Sequence, residues 1–328
     1  MSSSTDTDGE NPNSHPESLR YRKVQTHGLQ QPSPSNSRPL LRALAFSPDG
    51  HYIAGTFDRK VVVWGLNVPA ETQEERALEE WEQKLVYRLD DRVQDEALTC
   101  LVWTSSDFLL LGSSTGDVRV ITIGKNATRM KGFQATRSPI RFLSLDQAGF
   151  FLAVVAGDRE VSVWYFEEGE YSSYLFAFPS LTVDGQPGCV TFLGWNQATG
   201  GMLIVAYLGH GVFRFCITIK CKLITMASVF STNVLHRYSG ALSPNGNLFA
   251  IPGARGTFVI WDLNTKDKVT VLHEPAEEVS AGHSRQNDRP SQFVHDGEFL
   301  FGAGIGKLNL WNASRNIRAQ RLNLGGQA

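Results

Sequence analysis

Leu40–Leu66 reads LLRALAFSPDGHYIAGTFDRKVVVWGL. Two apolar runs, Leu41–Phe46 and Tyr52–Phe57, flank Ser47-Pro48-Asp49-Gly50. The proline fixes φ and the glycine tolerates φ > 0, so the stretch predicts strand, turn, strand. A third run, Val61-Val62-Val63-Trp64, follows the turn Asp58-Arg59-Lys60. Three short strands in so few residues cannot bury both faces of their own sheet. Copies stacked beside them are needed to make a core.

Copies are present. Matching third-strand endings are VVVW at Trp64, VRVI at Ile121, VSVW at Trp164, FRFC at Cys216, FVIW at Trp261 and LNLW at Trp311, spaced 43 to 57 residues apart. Turn glycines keep phase: Gly50, Gly149, Gly246 and Gly297 precede their tryptophans by 14 or 15 residues. Two independent features locked at one period define six repeats. Each third strand is followed by a polar-alternating run: Gln83–Leu89, Thr128–Ala135, Tyr174–Phe178, Cys221–Val229, Lys268–His273 and Asn316–Leu324. Four strands per unit and no required helix describe an all-β propeller of four-stranded blades.

The chain has 328 residues, 41% of them hydrophobic, and a formal net charge of −2, which suits a globular fold with a sizeable core. Bulk charge gives no reason to expect direct binding of nucleic acid. Cys100, Cys189, Cys216 and Cys221 lie in apolar runs without metal-ligand spacing, so buried free thiols in a reducing compartment are expected. No secretory signal is visible behind Met1-Ser2-Ser3-Ser4, and the longest apolar stretch, Met202–Ile219, is interrupted by Gly209-His210-Gly211 and reads as two strands, not a membrane span. The expected location is the cytoplasm or nucleus. Asn126-Ala127-Thr128 and Asn312-Ala313-Ser314 match the glycosylation sequon and are read as chance.

Residues 1–39 are rich in Ser, Pro, Asn and Asp and read as a disordered tail, with one candidate clasp strand at 21–26. The propeller occupies 40–324. Its one long internal gap contains a Glu-rich insertion, 69–82, in which Ala77, Leu78 and Trp81 suggest a short acidic helix.

These residues resemble the WD-repeat (tryptophan-aspartate repeat) family over about Leu40–Leu324. The likeness rests on SPDG at 47–50, SPNG at 243–246, the Asp-x-x-Val-x-Val-Trp runs ending at Trp64 and Trp164, and Ile260-Trp261-Asp262-Leu263. The departures are that Gly-His openings are mostly absent, Trp-Asp survives only at Trp261-Asp262, and Ile121 and Cys216 replace tryptophan. The resemblance implies a structural hydrogen-bond network of Asp58 with Trp64 and of Asp158 with Trp164. It also implies a clasp in which an N-terminal strand completes the last blade. Here the sixth repeat owns its outer strand, so the expectation is a seven-bladed relative with an incomplete last blade. A closed six-bladed ring is the alternative.

Known catalytic patterns are missing. Gly302-Ala303-Gly304-Ile305-Gly306-Lys307 is followed by Leu308 and a strand, where a phosphate loop needs Ser or Thr and then a helix. There is no Gly-x-Ser-x-Gly and no His-Glu-x-x-His. No metal or cofactor is expected.

Arginines carry the pattern that remains. Arg42, Arg141 and Arg289 each sit eight residues before a turn glycine. By resemblance that position borders the top opening of the central channel. Arg59 and Arg159 follow Asp58 and Asp158 on the same rim, and Arg255 takes the Asp58-equivalent place in the fifth repeat. His210 and His236 are weaker rim candidates. Two readings stand. The arginines grip an acidic or phosphorylated segment through bidentate hydrogen bonds, or they pair with Asp58, Asp158 and neighbouring carbonyls to tie blades together. The function expected is a non-catalytic scaffold for protein or peptide partners. Roles implied by the family include corepressor-like, chromatin-associated, ubiquitin-ligase-adaptor and trafficking scaffolds. A propeller hydrolase or lyase with its site at the channel mouth is the alternative.

Overall fold

The structure is a computed structural model. It describes residues 41–67, 80–89, 96–104, 107–123, 129–167, 170–178, 182–183, 186–196, 201–217, 225–230, 240–253, 257–273, 291–304 and 307–323. The tail with its candidate clasp strand, residues 69–79 of the acidic insertion, Cys221, and the rim candidates His236, Arg255 and Arg289 lie outside the described residues.

Six four-stranded antiparallel meanders follow one another. Blade 1 is β1 (Leu41–Phe46), β2 (Tyr52–Phe57), β3 (Lys60–Asn67) and β4 (Glu80–Arg88). Blade 2 is β5 (Leu98–Trp103), β6 (Phe108–Ser113), β7 (Asp117–Thr122) and β8 (Arg129–Gln134). Blade 3 is β9 (Ile140–Leu145), β10 (Phe151–Ala156), β11 (Glu160–Glu167) and β12 (Glu170–Ala177), after which a small hairpin, β13 (Thr182–Val183) and β14 (Gln186–Pro187), leads on. Blade 4 is β15 (Val190–Asn196), β16 (Met202–Tyr207), β17 (Gly211–Cys216) and β18 (Thr225–Phe230). Blade 5 is β19 (Ala241–Leu242), β20 (Leu248–Pro252), β21 (Phe258–Asp262) and β22 (Lys268–Leu272). Blade 6 is β23 (Ser291–Val294), β24 (Phe299–Gly304), β25 (Lys307–Asn312) and β26 (Ile317–Asn323). Each expected outer strand is found within a few residues of its expected place. Among the described residues there is no seventh blade, and blade 6 has its own outer strand. No helix among them is long and apolar enough to cross a membrane.

The turns form for the reasons legible in their residues. In Ser47-Pro48-Asp49-Gly50, Ser47 Oγ donates to Asp49 and accepts the Tyr52 amide at 2.9 Å, while Gly50 takes φ +74. Ser243-Pro244-Asn245-Gly246 repeats this arrangement, with the Leu248 amide donating to Ser243 Oγ at 2.8 Å. Asn312 of the second sequon is buried and receives the Arg315 amide at 2.8 Å, so it is committed to a turn. One expectation is corrected: Trp81 lies in β4, paired with Leu66, and not in a helix, because its side chain meets Phe46 across the sheet. A second concerns the thiols. Cys100 is buried, but Cys189 is half-buried and Cys216 is exposed, since the latter ends β17 on the outside of the core.

Alternating strand residues seal one blade to the next. Ala54, Val61 and Val63 of blade 1 pack on Leu101, Leu109 and Ile121 of blade 2, and four further clusters seal the boundaries up to that between blades 5 and 6. Two inner-strand indoles add hydrogen bonds across boundaries: Trp103 Nε1 donates to the Ala45 carbonyl at 3.1 Å and Trp195 Nε1 to the Ser144 carbonyl at 2.9 Å. The opposite face of blade 1 joins no cluster among the described residues, and its Leu44 and Phe46 are more than half exposed.

Candidate functional site

One backbone feature recurs at the top of the inner strands. Pairing of β1 with β2 skips a residue between Leu41 and Ala43, so Arg42 is bulged. The same skip leaves Thr99 bulged on β5, Arg141 on β9 and Thr191 on β15. A bulged residue has no cross-strand partner and its side chain is re-aimed out of the sheet. All four line one cavity of about 1040 Å3 at the top of blades 1–4, with Asp158, Arg159 and Cys189.

The charges around this mouth are arranged in pairs. Arg42 reaches Asp58 Oδ1 with Nε at 3.0 Å and with Nη2 at 3.0 Å, both side chains being 49% exposed. In blade 3, Arg141 Nη1 pairs with Asp158 Oδ1, at 44% and 60% exposure. Asp58 takes φ +36 in the top turn of blade 1, which carries its carboxylate back over β1. Its carbonyl meanwhile accepts the Leu98 amide of blade 2. Arg159 is exposed at the mouth and has no ion-pair or hydrogen-bond partner among the described residues. Arg59 turns away from the cavity and donates to the Glu96 carbonyl of blade 2 at 3.1 Å. His210 stands in the top turn of blade 4, where its amide donates to the Tyr207 carbonyl, and it does not line the cavity, although its neighbour Leu208 does.

Sequence reasoning missed three elements. The first is the bulge itself, which places Thr99 and Thr191 in the positions that Arg42 and Arg141 hold in the odd blades. Thr191 is buried, and its hydroxyl donates to the Ala206 carbonyl at 3.3 Å, so its alcohol is turned into the sheet. The second is the ion pair of Glu96 with Arg119, in which Arg119 Nε lies 2.8 Å from Oε1 and Nη2 lies 2.5 Å from Oε2. A lone glutamate before an apolar strand gives no hint of burial. The third is Cys189, which lines the same cavity as Arg141 and Arg159.

For the expected Asp158–Trp164 network the structure gives these contacts. Trp164 Nε1 donates to Ser162 Oγ at 3.0 Å, while Asp158 is turned to Arg141. The indole of Trp164 packs between Phe133 and Tyr174, with ring centroids 5.0 and 5.3 Å away. Trp64 belongs to β3, where it pairs with Ile53. Among the described residues no cluster of three or more His, Cys, Asp or Glu could hold a metal ion.

A family model for the WD domain, G-beta repeat, matches residues 31–65, which include β1, β2 and most of β3 in blade 1. The chain is a propeller of six four-stranded blades whose first blade matches a WD repeat. Curated relatives include Protein hir1 of Schizosaccharomyces pombe, 26% identical over 166 residues, 44% of this chain and 17% of that protein. Protein HIR1 of Candida albicans is 26% identical over 48% of this chain and 18% of its own length. The propeller thus matches less than a fifth of these relatives. Among solved structures, Chaetomium thermophilum Sqt1 bound to the N-terminus of the ribosomal protein L10 aligns with TM-score 0.59 and 16% identity, covering 86% of this chain and 74% of that one. Sqt1 alone aligns with TM-score 0.58 and 17% identity, covering 83% and 69%. These structures agree with this propeller in fold.

Proposed function

We propose that this chain is a non-catalytic interaction scaffold, acting in the cytoplasm or nucleus, whose top channel mouth binds an acidic or phosphorylated segment of a protein partner. One observation carries the reading: three arginines, Arg42, Arg141 and Arg159, line a single open cavity. Arginine suits this task because its planar fork presents paired donors to carboxylate or phosphate. A cavity of this size holds a short extended segment, not a folded domain. That the Sqt1 structure contains the N-terminus of another protein lends support by analogy of fold. Arg59 and His210 flank the mouth. Arg255, Arg289 and His236 complete the proposed rim in blades 4 to 6.

The test is affinity purification with the unaltered protein and with Arg42→Glu/Arg141→Glu, followed by identification of the partners by mass spectrometry. Because both ion pairs are about half exposed, the variant keeps its melting temperature within a few degrees while losing the partners held at the mouth. Partners retained in full by a folded variant would refute the reading.

A further inference from the structure

We propose that the far face of blade 1 is a second docking surface, and that its occupant is an acidic amphipathic helix of about three turns carried by a protein partner. Strand pairing lays this face out in three rows. Leu41, Phe57, Lys60 and Arg88 form the top row, Leu44, Gly55, Val62 and Val86 the middle one, and Phe46, Ile53, Trp64 and Gln83 the bottom one. Trp81 adds its ring edge-on to Phe46, with centroids 6.0 Å apart. The same positions are covered in the next blade. Leu101 and Trp103 hold in β5 the places that Leu44 and Phe46 hold in β1. Packed on blade 1 they are 9% and 6% exposed, whereas Leu44 and Phe46 are 54% and 59% exposed. A contiguous apolar sheet face left in water marks an interaction site.

Charge, sidedness and size select the occupant. Lys60 and Arg88 stand side by side on the two outer strands, and no Asp or Glu occurs in the three rows. Lys60 Nζ lies over the Phe57 ring, 5.7 Å from its centroid, which holds the cation at the edge of the apolar surface. A partner therefore gains by bringing carboxylates to the top outer corner. Among the described residues blade 1 has four exposed large apolar side chains, Leu41, Leu44, Phe46 and Val86, while blade 6 has Ile317 alone. A sheet wedged between these two blades would need apolar cover on both of its faces, whereas an element apolar on one side needs only blade 1. The face is about five residues long and three strand spacings wide, roughly 17 by 14 Å. That is the footprint of one helix of about 11 residues. It is too small for a stable pairing of two copies, which takes about 800 Å2 from each. A lone strand laid on it would bury its own amides and carbonyls without partners, while a helix satisfies them internally.

The experiment measures fluorescence anisotropy of the full chain, at physiological ionic strength, with two labelled helical peptides of about 14 residues. Both carry a leucine stripe at i, i+3, i+4 and i+7 spacing, with glutamate in one and lysine in the other at every remaining position. The glutamate peptide is expected to bind roughly fivefold tighter than the lysine peptide, against the chain's own net charge of −2. Lys60→Glu/Arg88→Glu reverses that order. Leu44→Ser/Phe46→Ser weakens the glutamate peptide about tenfold or more, and thermal melting checks that each variant is folded. Arg42→Glu/Arg141→Glu, which alters the channel mouth, leaves the preference unchanged; loss of glutamate-peptide binding there places the peptide at the mouth and overturns the inference. So does a lysine peptide that binds the unaltered chain equally well or better, binding of neither peptide, or a folded Leu44→Ser/Phe46→Ser variant that binds as tightly as the unaltered chain. Sedimentation equilibrium without peptide is expected to show no association that depends on this face. A dimer that Leu44→Ser/Phe46→Ser abolishes would assign the face to a second copy and overturn the helix as its occupant.

Discussion

Two kinds of Arg–carboxylate pair occur on neighbouring blades, and burial alone predicts very different costs for breaking them. The Glu96 side chain is 2% exposed and its partner Arg119 is 20% exposed, with contacts from Nε and Nη2 of the guanidinium to both carboxylate oxygens. Glu96→Ala takes away the bidentate partner of a mostly buried cation, which costs about 3–5 kcal/mol. Arg42→Ala breaks a pair whose members are each half in water, which costs about 0–1 kcal/mol. Against a total stability of about 5–15 kcal/mol, the first change is severe and the second barely registers. Glu96→Gln keeps an acceptor oxygen and falls between them. Replacing both Glu96 and Arg119 with Met recovers most of the loss, because no buried charge is left without its counterpart. Urea unfolding followed by tryptophan fluorescence measures all four variants. If Glu96→Ala and Arg42→Ala fall within about 1 kcal/mol of each other, burial is not what separates these pairs, and the expectation that mouth variants stay folded loses its basis.

Trp103→Phe and Trp195→Phe each remove one indole hydrogen bond to the preceding blade and should cost about 1 kcal/mol apiece in the same urea assay, adding independently because the bonds belong to different boundaries. Gly116 sits at φ +90, and a Cβ there would collide with the Thr136 carbonyl, so Gly116→Ala should cost well over the roughly 1 kcal/mol expected for Gly50→Ala, whose φ is also positive but which faces open space. Burial pushes the Cys100 thiol from 9.0 up to about 12 and the Tyr207 phenol from 10.0 up to about 12. The unfolded chain thus loses these protons first, and stability, intact below about pH 9, falls by about 1.4 kcal/mol per pH unit from Cys100 between about pH 9 and 12, and by as much again from Tyr207 between about pH 10 and 12. Cys100→Ala/Tyr207→Phe should flatten that alkaline slope, measured as urea midpoint against pH.

Much of the fold was legible because its signals are local. A Ser-Pro-Asp-Gly turn is fixed by the φ preferences of two residues and a hydroxyl, and a β-branched run ending in Trp64 needs only its own alternation to declare a strand. Phase between these marks then forced the count of six. Trp81 was misread as helical because the Glu-rich stretch before it has helix-favouring composition, while its pairing with Leu66 depends on a sheet neighbour that composition does not reveal. Cys216 was misread for a similar reason: an apolar run shows that a strand is near the core, but not on which side its last residue emerges. At the mouth, the offset of Arg42 and Arg141 from their turn glycines was visible. Which atoms they touch was not, because that depends on a carboxylate delivered by the next hairpin.

The bulges separate the two roles of the mouth arginines. If ion pairing with Asp58 and Asp158 were the reason for the skipped residue, blades without such a carboxylate should pair regularly up to the top of the inner strand. Blade 2 closes its top turn with Ser113, Thr115 and Asp117 bonded among themselves, Thr115 Oγ1 lying 2.7 Å from Asp117 Oδ2, and blade 4 closes its turn with Gly209 and His210. Both nevertheless carry the bulge, at Thr99 and Thr191. The backbone device is therefore independent of the charge that occupies it. In blades 1 to 4 it brings one residue to the cavity wall, an arginine in blades 1 and 3 and a threonine in blades 2 and 4, with the hydroxyl of Thr191 turned back into the sheet. Half-exposed pairs add little to stability, so the arginines of blades 1 and 3 are held in position by their aspartates far more than they hold the ring together.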